Sequence, residues 1–569
     1  MKFFSATTAT STEANGMSDW SWPAGAVLVL TLIVTACGGG SQAPAGNSLR
    51  IGWAGSPDTA NPGTAVLSEA YTIFGLVYDT MYTVELDGTF RPGLAERWTA
   101  SEDGKILTYV IHSGVTFHDG RPLTARDVAF SYNLYKRHGD FPFLNSYTRH
   151  FESVEAADDR TVVIRLTAAL PNIESQLAFL YVLPKHIWAP HAEGAAAAEF
   201  ENAAMVGSGP FRMLEYRPNE FIRLGANKEH FLRRPKIDGV IFQTFANQDA
   251  LVQALRTGQV DMITEIPPTA VAGLGRTPGI RLATGIPLSP DVSDILLNQI
   301  APKDCPSGSA CAGHPALRDR NLRLALAHGT DKQKIIDVVL LGHGAPGLTL
   351  IPDGLQPWFN THLQDYPFDP AKANHILDRA GYTDTNGDGV REMPGSGRPL
   401  VFRLYRPSDS TVAPGMSDLL SEMWAQIGVR TEARSMDPDA LTAACCPAFD
   451  YDIILWGWGS DPDPNLLLGA MSTDQIPTGG NETGYSNPEY DGLYKRQAIE
   501  RDVEKRRELV WKMQEIVHRD VVYIVPFYAR AVQAYRTDRF AGWIADAPRV
   551  ALEERASLIA IEPASRGNP

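Results

Sequence analysis

The chain has 569 residues, 44% hydrophobic and 21% charged, with a formal net charge of −15. That length exceeds one ordinary domain, and the apolar content is enough for large cores, which excludes a disordered chain. The negative balance excludes a generic nucleic-acid binder, which needs a basic footprint against phosphates, so no nucleic-acid partner is expected.

Residues 24–34 (AGAVLVLTLIV) form an apolar run well short of the roughly 20 residues a membrane-spanning helix needs. It has the length of a secretory signal core. The run ends in Val34-Thr35-Ala36-Cys37 and is followed by Gly38-Gly39-Gly40-Ser41-Gln42, which resembles a bacterial lipoprotein box with Cys37 as the lipidated residue. The preceding segment departs from a basic leader, because Glu13 and Asp19 accompany Lys2, and Met17 is an alternative start. The expectation is a signal peptide over 1–37, a flexible tether over 38–47, and an exported protein attached to the membrane through its N-terminal lipid.

Beyond the tether, strand-like and helix-like segments alternate. Residues 107–112 (LTYVIH) and 161–166 (TVVIRL) alternate apolar and polar positions, as half-buried strands do. Between them Thr124 and Asp127 have capping-box spacing, so a helix is expected to start there. Residues 239–245 read as a strand, Asp249 as the cap of the next helix, and Gly258 as its stop. A similar unit runs from a strand at 400–405 through a helix at 417–427 and Gly428 to a strand at 429–433. This rhythm predicts α/β architecture with mixed sheets covered by helices.

Five cysteines are present, and setting Cys37 aside leaves an even number in an oxidising compartment. Cys305 and Cys311 bracket a Gly/Ser loop and are expected to close it as a local disulfide, whereas the adjacent Cys445 and Cys446 either pair or remain thiols. Phe117-His118-Asp119-Gly120 invites an acid–base reading, but Asp-Gly before Arg-Pro is turn chemistry, with His118 as a hydrogen-bonding post. Neither a nucleophile elbow nor a Walker loop occurs in its required context, so no enzyme is expected. Asp384, Asn386 and Asp388, followed by Gly389, resemble the start of a calcium loop that lacks its twelfth-position Glu. An Asx-rich turn explains the same residues, so the only candidate cofactor is a structural calcium at this loop. The segment 453–464 (IILWGWGSDPDP) runs from an apolar strand into a loop carrying Asp461 and Asp463. By strand period Trp456 and Trp458 share one face, as pocket lining or as core; the Asp-Pro pairs either bind ligand or shape the loop.

Ordered motifs across the chain resemble family 5 extracellular solute-binding proteins, the dipeptide and oligopeptide receptors of ATP-driven importers. They include 91–98 (RPGLAERW), 114–120 (GVTFHDG), 127–132 (DVAFSY), 207–211 (GSGPF), 258–261 (GQVD), 318–327 (RDRNLRLALA) and 484–488 (GYSNP). The resemblance covers roughly residues 48–545. It implies a two-lobed periplasmic-binding-protein-like fold of the class II (cluster C) type with a hinge between lobes. Lobe I would take residues 48–295, including an extra subdomain at about 85–200, lobe II 296–529, and a return to lobe I 530–569. The resemblance further implies capture of short peptides by lobe closure, and delivery to permease subunits with their ATPases by a monomeric receptor. Other ligands of the family (oligosaccharide, nickel chelate, haem, opine) and a peptide-signal role are the alternatives. Asp461, three residues after Trp458, stands where peptide-binding members hold the α-ammonium. Asp463 is the fallback, and Trp456, Trp458 and Asn298 are expected at the cleft.

Overall fold

The computed structural model describes residues 46–564, apart from Pro142. The signal segment, Cys37 and most of the tether lie outside the described residues. Two large mixed sheets organise the chain. The first has eight strands, in the order Arg549–Val550, Ile280–Pro287, Ala531–Arg536, Met262–Ile263, Ser48–Trp53, Gly239–Thr244, Phe221–Ala226 and Phe211–Arg217. Its centre is parallel: Leu49 pairs with Val240 and Ile51 with Met262. The second has six strands, in the order Gly344–Pro346, Tyr523–Ala529, Val292–Leu297, Ile453–Trp458, Val401–Pro407 and Arg430–Met436.

An antiparallel four-stranded sheet (Ala95–Ala100, Ile106–Ile111, Thr161–Leu166, Phe151–Ala156) sits within the expected subdomain of the first lobe. The helix Ala125–Arg137 covers it and starts at the expected capping box, in which the Thr124 amide donates to Asp127 Oδ2 at 2.9 Å. The next expected cap differs. Asn247, not Asp249, caps the helix Gln248–Thr257, because its Oδ1 accepts from the Ala250 amide at 2.9 Å. Gly258 ends that helix at φ 74°, a left-handed position that costs a residue with a Cβ strain energy.

The crossovers between the large sheets fall at 288–291 and at Arg530. The first comes earlier than the expected boundary at 295/296, because Val292–Leu297 is one unbroken strand of the second sheet. Val292 pairs with Trp458 and Leu296 with Ile454, and splitting the strand would expose paired backbone groups. Ile295 and Leu455, both fully or almost fully buried on one face of that sheet, each contribute about 1.5–3 kcal/mol through burial. The C-terminal return is tied to the first lobe by Asp261, which accepts from Arg50 at 2.7 Å and from Arg539 at 2.8 Å.

Candidate functional site

Because Val292 and Trp458 are register partners, the residues just outside both strand ends emerge at one edge of the second sheet. Asp291 precedes one strand, and Ser460 and Asp461 follow the other. This edge closes a cavity of about 520 Å³ whose remaining walls come from the first lobe and the C-terminal return. The volume falls within the roughly 300–1,000 Å³ usual for small-ligand sites.

The first-lobe wall is aromatic. Tyr71 and Tyr181 stack with ring centroids 6.5 Å apart, and Tyr147 and Phe179 stack at 5.5 Å. Rings that pack against one another hold their rotamers, so this wall is preformed. Tyr147 reaches across the cleft: its hydroxyl lies 3.5 Å from Asp461 Oδ1, at the long limit of a hydrogen bond. Burial, and secondarily the neighbouring Asp463 carboxylate, push the Asp461 carboxyl up to about 6. Asp291 is exposed by accessible surface, yet enough protein surrounds it that loss of hydration pushes its carboxyl up to about 6.

The floor carries Glu554 and Arg555. Glu554 accepts from the Thr72 hydroxyl at 2.9 Å, and burial raises its carboxyl. Arg555 is engaged beneath the cavity, its Nη2 lying 2.5 Å from Asp79 Oδ1. Burial alone would push the Asp79 carboxyl up, but the Arg555 guanidinium and the His230 ring outweigh it and hold it below the usual range.

The structure separates the sequence-predicted residues. Asp461 lines the cavity. Asp463 does not: its carboxylate grips the Arg506 guanidinium through two contacts of 2.5 and 2.9 Å, and both side chains are buried. Asn298 is also withdrawn. Its Nδ2 donates to the carbonyls of Phe449 and Tyr451 at 3.0 and 2.7 Å, and its Oδ1 accepts from the Ile300 amide. Trp456 and Trp458 do share a face, but they line a second cavity of about 390 Å³ that meets the first at Asp291. Trp458 donates its indole N–H to Glu482 Oε2 at 3.0 Å, and Trp456 packs with Ile454, Tyr451 and Leu441.

The remaining candidates lie away from the cleft. His118 is a post for the Gly207–Gly209 turn: its Nδ1 accepts from the Gly207 amide and its Nε2 donates to the Gly209 carbonyl at 3.0 Å. Asp384 Oδ1 and Oδ2 accept from the Gly387 and Gly389 amides, Asn386 Oδ1 from the Asp388 amide, and Asp388 Oδ1 from the Val390 amide. These are Asx turns, although Asp384, Asp388 and Glu392 could each bring an oxygen within 4.8 Å of the others. Cys305 and Cys311 are bonded, and so are Cys445 and Cys446. Sequence reasoning missed Tyr71, Tyr147, Phe179, Asp291, Glu554 and the Asp79–Arg555 pair.

Two lobes built on separate mixed sheets, with a cleft between them, define a binding protein for a small solute. Residues 89–477 match the family described as bacterial extracellular solute-binding proteins, family 5 Middle, and the chain belongs to that family. It is 26% identical over 487 residues to the oligopeptide-binding protein AppA of Bacillus subtilis, covering 82% of this chain and 86% of the relative. It is 27% identical over 472 residues to di/tripeptide-binding protein 1 of Pseudomonas aeruginosa, covering 78% and 82% respectively. The ABC transporter substrate-binding protein CtaP of Listeria monocytogenes superposes with a TM-score of 0.76 at 26% identity, covering 91% of this chain and 99% of that one.

Proposed function

We propose that this chain is the substrate receptor of an ATP-driven importer, lipid-anchored at Cys37 outside the cytoplasm, and that it captures short peptides between its lobes. The observation that carries the reading is Asp461, an undersolvated carboxylate from the second lobe facing an aromatic wall of the first. A peptide α-ammonium there gains a charge-assisted bond where little water competes. Tyr147, which touches Asp461 across the cleft, gives that bond a means of drawing the lobes together. Capture and delivery to permease subunits need no bond made or broken, and no cofactor enters the cycle. The names of the relatives, oligopeptide-binding and di/tripeptide-binding, support a peptide ligand. No histidine lines the cleft among the described residues, which leaves a nickel chelate without its preferred nitrogen ligand.

Isothermal titration of the purified mature protein with free and N-acetylated tripeptides tests this reading. Free peptides should bind and acetylated ones should bind at least about 10-fold more weakly, the cost of losing one charge-assisted hydrogen bond. Equal affinities would remove Asp461 as the ammonium anchor.

A further inference from the structure

The cleft carries more negative charge than one ammonium needs. Four carboxylates line it, from four separate segments: Glu69 in the first turn of the helix Ser68–Val77, Asp291 at the crossover, Asp461 on the second lobe, and Glu554 on the return. The only basic side chain among the described lining residues is Arg555, which is already ion-paired to Asp79 at 2.5 Å. The other groups facing the space are aromatic rings, which attract cations through their faces.

A zwitterionic dipeptide matches this lining poorly. Its ammonium would be served by Asp461, but its carboxylate would enter a cavity of four like charges with no uncommitted cation among the described lining residues. Like charges brought together in a confined space repel, and Arg555, although it keeps donors beyond the Nη2 that holds Asp79, already has its charge balanced by that buried carboxylate. Glu554, by contrast, has the features of a second cation anchor. It is held in place by Thr72, it lies against the same cavity, and it belongs to a different lobe from Asp461.

We propose that the preferred ligand carries at least two cationic groups, as a peptide with a lysyl or arginyl side chain does, with Asp461 taking one cation and Glu554 the other. This rests on the peptide-receptor reading for the class of molecule, but the charge requirement stands on the lining alone. A two-point ligand also ties the lobes together, because its anchors belong to different lobes.

The test is titration calorimetry on the mature protein with Ala-Ala-Ala, Ala-Lys-Ala, Ala-Glu-Ala and C-terminally amidated Ala-Lys-Ala, and with the triamine spermidine. The expected result is that Ala-Lys-Ala binds about 10- to 100-fold tighter than Ala-Ala-Ala, the range of one charged hydrogen bond. Amidation should preserve or improve affinity, and Ala-Glu-Ala should be weakest. Glu554→Gln should erase the lysyl preference, bringing Ala-Lys-Ala and Ala-Ala-Ala to equal affinity. If Glu554→Gln does not fold, Thr72→Val, which removes the hydroxyl that holds the Glu554 carboxylate, should reduce the preference instead. Peptides binding regardless of charge would overturn the inference and leave the peptide-receptor reading intact. Spermidine binding with no peptide binding would overturn that reading and leave the charge requirement standing. No binding by any of these probes would overturn both.

Discussion

Acidification should weaken peptide binding through Asp461, and the size of the effect follows from its surroundings. Burial and Asp463 hold the ligand-free carboxyl at about 6, against an ordinary value of 3.8. Only the ionised form attracts an ammonium, so the free protein must release a proton to bind below that value. The ionised fraction is about 0.9 at pH 7 and about 0.1 at pH 5, so this group alone weakens affinity about 10-fold over that interval. Titration in two buffers of different ionisation enthalpy counts the proton directly, with close to one released at pH 5 from Asp461. Asp461→Asn should lower affinity about 10- to 100-fold at pH 7.5 and reduce the released protons by one relative to the parent. The same substitution should stabilise the ligand-free protein. A carboxyl whose folded pKa is raised costs stability above that pKa, and the cost disappears as pH falls from about 6 to 3.8. The upper bound at neutral pH is about 3 kcal/mol, so the gain in Tm should be present at pH 7.5 and absent at pH 4. An unchanged proton count in Asp461→Asn would refute the assignment.

Asp463→Ala should destabilise the fold by about 3–5 kcal/mol in urea unfolding, because it strands the buried Arg506 charge; an unchanged midpoint would contradict the buried pair. Asn298→Ala should cost about 1–3 kcal/mol by leaving the Phe449 and Tyr451 carbonyls without their donor, with peptide affinity unchanged in calorimetry. Because backbone amides already occupy the Asp384 loop, adding calcium or a chelator should leave the Tm where it is. Cys37→Ser should move the protein from the membrane to the soluble fraction on centrifugation.

The fold was legible wherever a local rule decided the backbone. Alternation in 107–112 and 161–166 gave strands because one face must be dry and the other wet, and the Thr124–Asp127 spacing gave a helix start because two amides need acceptors there. The crossover is hard to place from sequence because the polar Ser293 and Asp294 lie inside the strand Val292–Leu297, where the fold buries Asp294, so polarity does not mark where one sheet gives way to another. The site was legible only at Asp461. Asn298 is expected at the cleft because it borders the expected crossover, yet its partners lie 151 and 153 residues away. Glu554 and Thr72 meet across 482 residues, and Arg555 and Asp79 across 476. Pairings of that range leave no signature in spacing. The aromatic wall was invisible for a related reason: Tyr71 and Tyr147 sit in separate short helices, and only the fold gathers them.

The Asp-Pro-Asp-Pro segment shows how much the third dimension adds. Asp461 and Asp463 are chemically identical and followed by the same residue, so sequence alone can rank them only by distance from Trp458. In the fold they divide the work. Asp463 is captured by Arg506, which also bonds Gln497 Oε1 and lies 4.8 Å from the Trp358 ring centroid. That anchor fixes the loop to the second lobe and satisfies one charge inside the protein. Asp461, two residues earlier, is left facing the cleft with Tyr147 as its only hydrogen-bonding side chain among the described residues, and the nearby Asp463 carboxylate adds to its reluctance to ionise. A carboxylate that is costly to hold empty gains most from an incoming cation. Stability given up at Asp461 in the ligand-free receptor therefore reappears as affinity, and the Asp463–Arg506 pair keeps the cost local.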